Sequence, residues 1–305
     1  ITGDITLEPI TPHHIASVIV NQSHSAGSVD VRVQATCKGD ADWSVTLCGV
    51  TNSGKGPAID TVLQIEYPEL WWPTGLGDQP LHLLDVIFGT AKTTRRIGLR
   101  DIALVSEPDD IGRSFLFRVN GHDTFAKGAN CIPADALTGR INRDEVRDLL
   151  QSAVDAHMNM IRIWGGGRYE PDWFYDLCDE MGLMVWQDFM FACNLYPSTP
   201  DFLAEVAAEV RENVARLQHH ACIALWCGDN ELIGALTWFE ESRNDRDRYL
   251  VSYDRLNTTI ANALLETAPL ANWWPSSPSP DMTIATLADG TSTPSFNTFD
   301  VAMAR

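Results

Sequence analysis

Lysine is nearly missing from this chain of 305 residues; Lys38, Lys55, Lys92 and Lys127 are all it has. Arginine raises the basic count only to 22, against 41 Asp plus Glu, for a formal net charge of -19. So acidic a surface repels phosphate backbones and anionic lipid headgroups, which argues against nucleic acid and membrane partners. A Lys-poor, Asp-rich composition also fits a salty habitat or a high-GC genome. Apolar runs stop well short of the roughly 20 residues that span a bilayer, and no signal-peptide pattern opens the chain. A cytoplasmic location is favoured. The start at Ile1, without Met, suggests a processed or excised chain. The 7 cysteines are odd in number and lack CxxC pairs, against both a zinc site and a disulfide framework, and most read as buried thiols. The 8 histidines are spread along the chain, and His219-His220 reads as a complement to a helix C-terminus. Gly165-Gly-Gly167 follows a strand pattern but lacks GxGxxG spacing and a later acidic partner, so no dinucleotide loop is read. No metal or cofactor is expected. Asn21-Gln-Ser23 and Asn257-Thr-Thr259 fit the glycosylation sequon, a triplet that arises often by chance.

What is present suits two domains. Residues 5 to 105 read as short antiparallel strands, among them Val29 to Ala35, Trp43 to Cys48, Ala58 to Ile65 and Leu81 to Phe88, between Gly, Pro and Asp clusters. This is the pattern of a sandwich. Asn120-Gly121 marks a two-residue hairpin turn. Beyond it strands and helices alternate. The strands are Ala126 to Asn130, Met160 to Trp164, Leu183 to Gln187 and Cys222 to Trp226; the helices are Arg143 to His157, Pro171 to Met181 and Asp201 to His219. Asn142 fits an N-cap, Pro171 a first helical turn and Gly182 a helix stop. Repeated βα units with apolar strands indicate a parallel sheet, and a barrel is favoured over a dinucleotide-binding sheet.

In a βα barrel the active face lies at the carboxyl ends of the strands. The residues there are Asn130, Cys131 and Asp135, then Arg162 and Trp164, then Asp188 and Asn194, then Asp229, Asn230 and Glu231. Aromatics, carboxylates and amides without His clusters suit a sugar, because an aromatic face stacks on pyranose C–H groups while acids and amides bond its hydroxyls. Glycoside cleavage needs two carboxyl groups, and Glu231 is a candidate for one. Each residue also has a plainer reading. Glu231 could face solvent in the first turn of a helix, Asp188 could cap a turn, and Trp164 and Trp226 could be core. Arg162, inside the apolar Ile161-Arg-Ile163, requires a buried acidic partner.

Six segments carry a resemblance: Leu70 to Leu81 (LWWPTGLGDQPL), Arg95 to Arg100 (RRIGLR), Phe125 to Asp135 (FAKGANCIPAD), Asn159 to Gly167 (NMIRIWGGG), Trp186 to Cys193 (WQDFMFAC) and Leu225 to Glu231 (LWCGDNE). Together, in this order, they resemble family 2 glycoside hydrolases of the β-mannosidase type. The likeness runs from about residue 60 to 278. It implies an immunoglobulin-like β-sandwich over residues 1–106, then the first part of a (β/α)8 barrel over 107–305, with 281–305 divergent. It implies retaining exo-hydrolysis of terminal β-mannosides without cofactor. Glu231 would be the acid/base, and Asn230 would bond the sugar 2-hydroxyl. Arg162 would pair with the nucleophile. Trp164, Asp188, Asp135 and Asn130 would line the mannose subsite, and Trp238 would close it. Rival readings are another family 2 activity, a β-glucosaminidase or β-galactosidase, and a non-catalytic carbohydrate-binding module.

Departures from the family pattern matter too. Cys131 stands where an aromatic is usual, so one wall of the pocket is expected to be looser. Asp229 replaces a usual Asn, and if its carboxylate lay near Glu231 it would raise the affinity of that acid for its proton. The family's N-terminal sugar-binding domain is not recognised, nor is a nucleophile glutamate; Glu240, Glu241 and Glu266 match no such motif. The chain is therefore expected to be a fragment, inactive and aggregation-prone unless its missing halves are supplied.

Overall fold

The structure, a computed structural model, describes residues 5, 7, 11–108, 110 and 112–279. The segment 281–305, expected to diverge, lies outside the described residues.

Period-two alternation builds the first half. Strands β1 (His14–Ser25), β2 (Ser28–Leu47), β3 (Val50–Glu66), β4 (His82–Phe88) and β5 (Ala91–Ile97) form one antiparallel sheet in the order β1-β2-β4-β5, with β3 also on β2. Val29, Val31 and Val33 of β2 face inward while Asp30 and Arg32 face out. Short strands were expected here, yet β2 runs for 20 residues and β3 for 17. The reason lies in Gly39 and Gly56, at φ +102° and +155°, which bend the ribbon instead of ending it. The β2/β3 register shifts between Thr36 and Ala41 at this bend. The first part of β2 carries β1, the second carries β4, and Val31, Val33, Val45, Leu63, Val86 and Phe88 share one core.

A small antiparallel sheet follows, β6 (Ile102–Val105), β7 (Leu116–Val119) and β8 (His122–Thr124). Asn120 and Gly121 join β7 to β8 with both φ values positive, 49° and 83°, the backbone a type I′ turn demands.

From Gly128 the chain alternates. In order come β9 (Gly128–Cys131), α1 (Arg143–Asp155), β10 (Met160–Ile163), α2 (Asp172–Met181), β11 (Met184–Asp188), α3 (Pro200–Leu217), β12 (Ile223–Cys227), the short α4 (Leu232–Ala235) and α5 (Glu240–Asn244), α6 (Arg246–Thr267) and β13 (Trp273–Trp274). The five strands are parallel, in chain order, so their carboxyl ends share one rim. Every residue of β10, β11 and β12 is buried, as expected for a sheet covered on both faces. Asn142 caps α1 by accepting from the Asp144 N–H at 2.9 Å, and Gly182, at φ 70°, ends α2.

The antiparallel half is joined to the amino side of this sheet. Arg100 donates to the Ala221 and Ile223 carbonyls at 3.1 and 3.0 Å, at the foot of β12. The Trp71 indole donates to the Asp179 carbonyl at 2.8 Å, and Arg96 pairs with Asp176 and Glu180.

Candidate active site

The pleat of β10 sends Ile161 and Ile163 into the helix-side core and leaves Arg162 on the other face. There Arg162 stands in register with Asn130 on β9 and Trp186 on β11. A guanidinium only donates, in a planar fork, so buried it needs acceptors on several sides. Asp188 takes Nε at 3.2 Å and Nη2 at 2.7 Å, Asn230 Oδ1 takes Nη2 at 2.9 Å, and Asn130 Oδ1 takes Nη1 at 3.2 Å. Burial opposes the charge, yet the Asp188 carboxylate holds the Arg162 guanidinium above its ordinary range. Asp188 also accepts from the Gly165 N–H and the Trp186 indole, each at 3.0 Å. Asn130 is exposed, so this polar group opens to solvent on the β9 side. The resemblance paired Arg162 with the nucleophile; here its carboxylate partner is Asp188.

The run after β12 is laced to its neighbours by the backbone. The Asn230 N–H donates to Phe191, Cys193 to Asn230, Glu231 to Ser277 and Ser277 to Asp229, all at 2.9 to 3.0 Å. Glu231 sits at φ 64°, ψ 17°, a left-handed conformation uncommon for a residue with a side chain, and Cys193 does the same at φ 52°. Glu231 precedes α4 but makes no capping bond. Its half-buried carboxylate instead accepts from the Cys193 thiol at 3.3 Å, and Asn230 Nδ2 donates to the same sulfur at 3.3 Å. Arg162, Asp188, Asn130, Asn230, Cys193 and Glu231 thus form one connected polar chain along the rim.

Other expected residues stand apart from it. Trp164 follows β10 half-buried, with its ring over Gly166, where an added Cβ would fall 2.0 Å from Cη2. Asp135 closes a local turn by accepting from the Leu137 N–H at 2.6 Å. Trp238, 40% exposed, lies past α4. Asn194 bonds the Leu195 N–H, and its neighbour Cys193, unremarked among the strand-end residues, is the one that reaches the polar chain. The signal for it was position alone, one residue earlier in the same loop. Cys131 packs against the helix-side core, and Trp226 is core as its plainer reading had it.

Two expectations are corrected. Asp229 does not turn toward Glu231: its carboxyl is buried and accepts from Ser276 at 2.5 Å, the Leu232 N–H at 3.1 Å and Asn257 at 3.2 Å. Burial pushes Asp229 itself up to about 7. His220, read with His219 as a complement to a helix C-terminus, is instead engaged by a carboxylate. It is buried, with Nδ1 2.7 Å from Asp179 Oδ2, while Asp179 Oδ1 accepts from the Cys222 N–H. Among the described residues these three form a cluster with metal-ligand atoms, at the amino end of the sheet. Its donors and acceptors are already matched to one another. The sequon residue Asn257 is buried as well.

No family model matches the chain. It is 45% identical over 194 residues to a β-mannosidase of Bos taurus and 42% identical over 181 residues to β-mannosidase B of Emericella nidulans, covering 61% and 58% of this chain. The chain spans about a fifth of the length of these relatives, 22% in each case. Among solved structures, the β-D-mannosidase of Dictyoglomus thermophilum superposes with a TM-score of 0.80 at 32% identity, over 89% of this chain and 36% of that one. The exo-chitosanase of Amycolatopsis orientalis shares the fold at 18% identity, with a TM-score of 0.68, over 87% of this chain and 32% of that one. In sequence and in fold, the chain is β-mannosidase-like, similar to one stretch of these enzymes.

Proposed function

We propose that the protein carrying this chain is a retaining exo-β-mannosidase, with the five parallel strands part of a (β/α)8 barrel and the bent antiparallel sheet an immunoglobulin-like sandwich ending near residue 106. The observation that supports this most directly is the placement of Glu231. Its carboxylate is half-exposed on the carboxyl rim, one sulfur away from an asparagine whose amide is oriented by a buried arginine. In the proposed reaction Glu231 protonates the glycosidic oxygen and then deprotonates the attacking water. Asn230 donates to the sugar 2-hydroxyl, a bond that strengthens as oxocarbenium character develops. Arg162 and Asp188 hold Asn230 and Asn130 in place. Trp164 offers a stacking face, Asp135 lines the subsite and Trp238 closes it.

A retaining mechanism needs a second carboxylate about 5 to 5.5 Å from the first. Asp188 and Asp229 are fully buried and already bonded, and no glutamate of this sequence matches the nucleophile motif, so we assign the nucleophile to a part of the protein other than this chain. The 305-residue chain by itself is therefore expected not to turn over substrate. The reading is tested by assaying the protein that carries this chain on aryl β-mannoside, β-glucosaminide and β-galactoside. Preference for the mannoside, with turnover lowered by Glu231→Gln, supports it. Preference for either other sugar replaces it with that activity, and sugar binding without hydrolysis that survives Glu231→Gln replaces it with a binding module.

A further inference from the structure

Cys193 touches both side chains to which the chemistry is assigned. The carboxamide of Asn230 has one accepting and one donating end. Arg162 can only donate, so the oxygen faces Arg162 and the nitrogen faces Cys193 Sγ. The sulfur accepts there, and its own S–H is left to donate to Glu231 Oε2. The same residue is tied through its main chain, because the Cys193 N–H donates to the Asn230 carbonyl while the Asn230 N–H donates to Phe191. Both Cys193 and Glu231 hold left-handed backbones, in the loops after β11 and β12, and these two loops bring the thiol and the carboxylate together.

We propose that Cys193 is a positioning residue that fixes the amide orientation of Asn230 and the rotamer of Glu231, leaving the second Asn230 N–H for a sugar hydroxyl. This rests on the assignment of Glu231 as acid/base. Burial and the Glu231 carboxylate push the Cys193 thiol above its ordinary value, which keeps it in the protonated form that donates. The group therefore works as a hydrogen-bond relay, not as a nucleophile.

Two measurements test it. In the protein that carries this chain, Cys193→Ala is expected to lower kcat on an aryl β-mannoside by roughly 10- to 100-fold with KM little changed, the cost of a misplaced group. Cys193→Ser, which can donate and accept at the same place, is expected to recover most of that loss. Wild-type kcat in Cys193→Ala, or a serine variant no better than alanine, overturns the proposal. The second measurement needs no turnover: iodoacetamide alkylation of Cys193 in the protein that carries this chain, read by peptide mass at pH 8. Glu231→Gln removes a carboxylate facing the thiolate and is expected to raise the rate about threefold. An unchanged rate overturns the contact. Absence of hydrolysis with a Glu231-dependent alkylation rate would sink the mannosidase reading and leave the positioning contact standing.

Discussion

Arg162 and Asp188 meet as two parallel forks, Nη2 to Oδ2 at 2.7 Å and Nε to Oδ1 at 3.2 Å, with only 3% and 0% of the two residues exposed. Such a pair is worth little against an apolar substitute, but removing one partner strands a buried charge. Arg162→Met is expected to cost about 3 to 5 kcal/mol of stability in urea unfolding. The double variant Arg162→Met/Asp188→Asn should lose less, because no unpaired charge remains. Equal losses in the two variants would show that packing, not charge, is what Arg162 supplies.

The Asp229 carboxyl gives a stability signature with pH. Burial lifts it to about 7, against donation from Ser276, whereas an unfolded-chain Asp titrates near 4. Between roughly pH 4 and 7 the folded chain keeps a proton that the unfolded chain has released, so this group's contribution falls as pH rises through that window and levels above it. The full penalty is on the order of 4 kcal/mol at neutral pH. Asp229→Asn should flatten the slope, since a carboxamide at this position has no proton to release in that window. Urea midpoints at pH 5 and pH 8 for both proteins decide it.

Gly165 follows β10 where no side chain fits. An added Cβ would lie 2.6 Å from both the Phe189 and Phe191 carbonyls, and the Gly165 N–H is one of the donors to Asp188. Gly165→Ala is expected to cost about 1 to 3 kcal/mol by overpacking and to loosen the grip on Asp188. Activity in the complete protein should drop with it, and a variant as stable and active as the parent would contradict this geometry.

Glu231→Gln should discriminate by leaving group. General acid catalysis contributes roughly 10²- to 10⁴-fold, and most of that is needed when the departing alkoxide is basic. Alkyl β-mannosides should lose that factor, dinitrophenyl β-mannoside much less. Uniform loss across the series would place Glu231 in binding instead.

Much of this was legible in the residues. Asn142 and Gly182 marked helix ends by capping chemistry, and an arginine inside an apolar strand announced a buried partner. Local patterns failed where long-range geometry decided. Gly39 reads as punctuation, and only pairing with β1, β3 and β4 makes it a bend inside one strand. Asp229 and Glu231 are two residues apart, yet the left-handed backbone at 231 sends their carboxyls to different partners. Asn194 looked the better ligand by chemistry, while loop pairing delivered Cys193.

Strand β12 is gripped at both ends. Arg100 holds the carbonyls at its foot, and Phe191, Cys193 and Ser277 hold the backbone of Asn230 and Glu231 at its tip. The interior of the strand is too tightly enclosed to absorb a tilt by flexing. A lesion at Arg100, remote from any sugar, should therefore act as a misaligned hinge pin, spoiling the aim of the acid while leaving every rim residue in the sequence untouched.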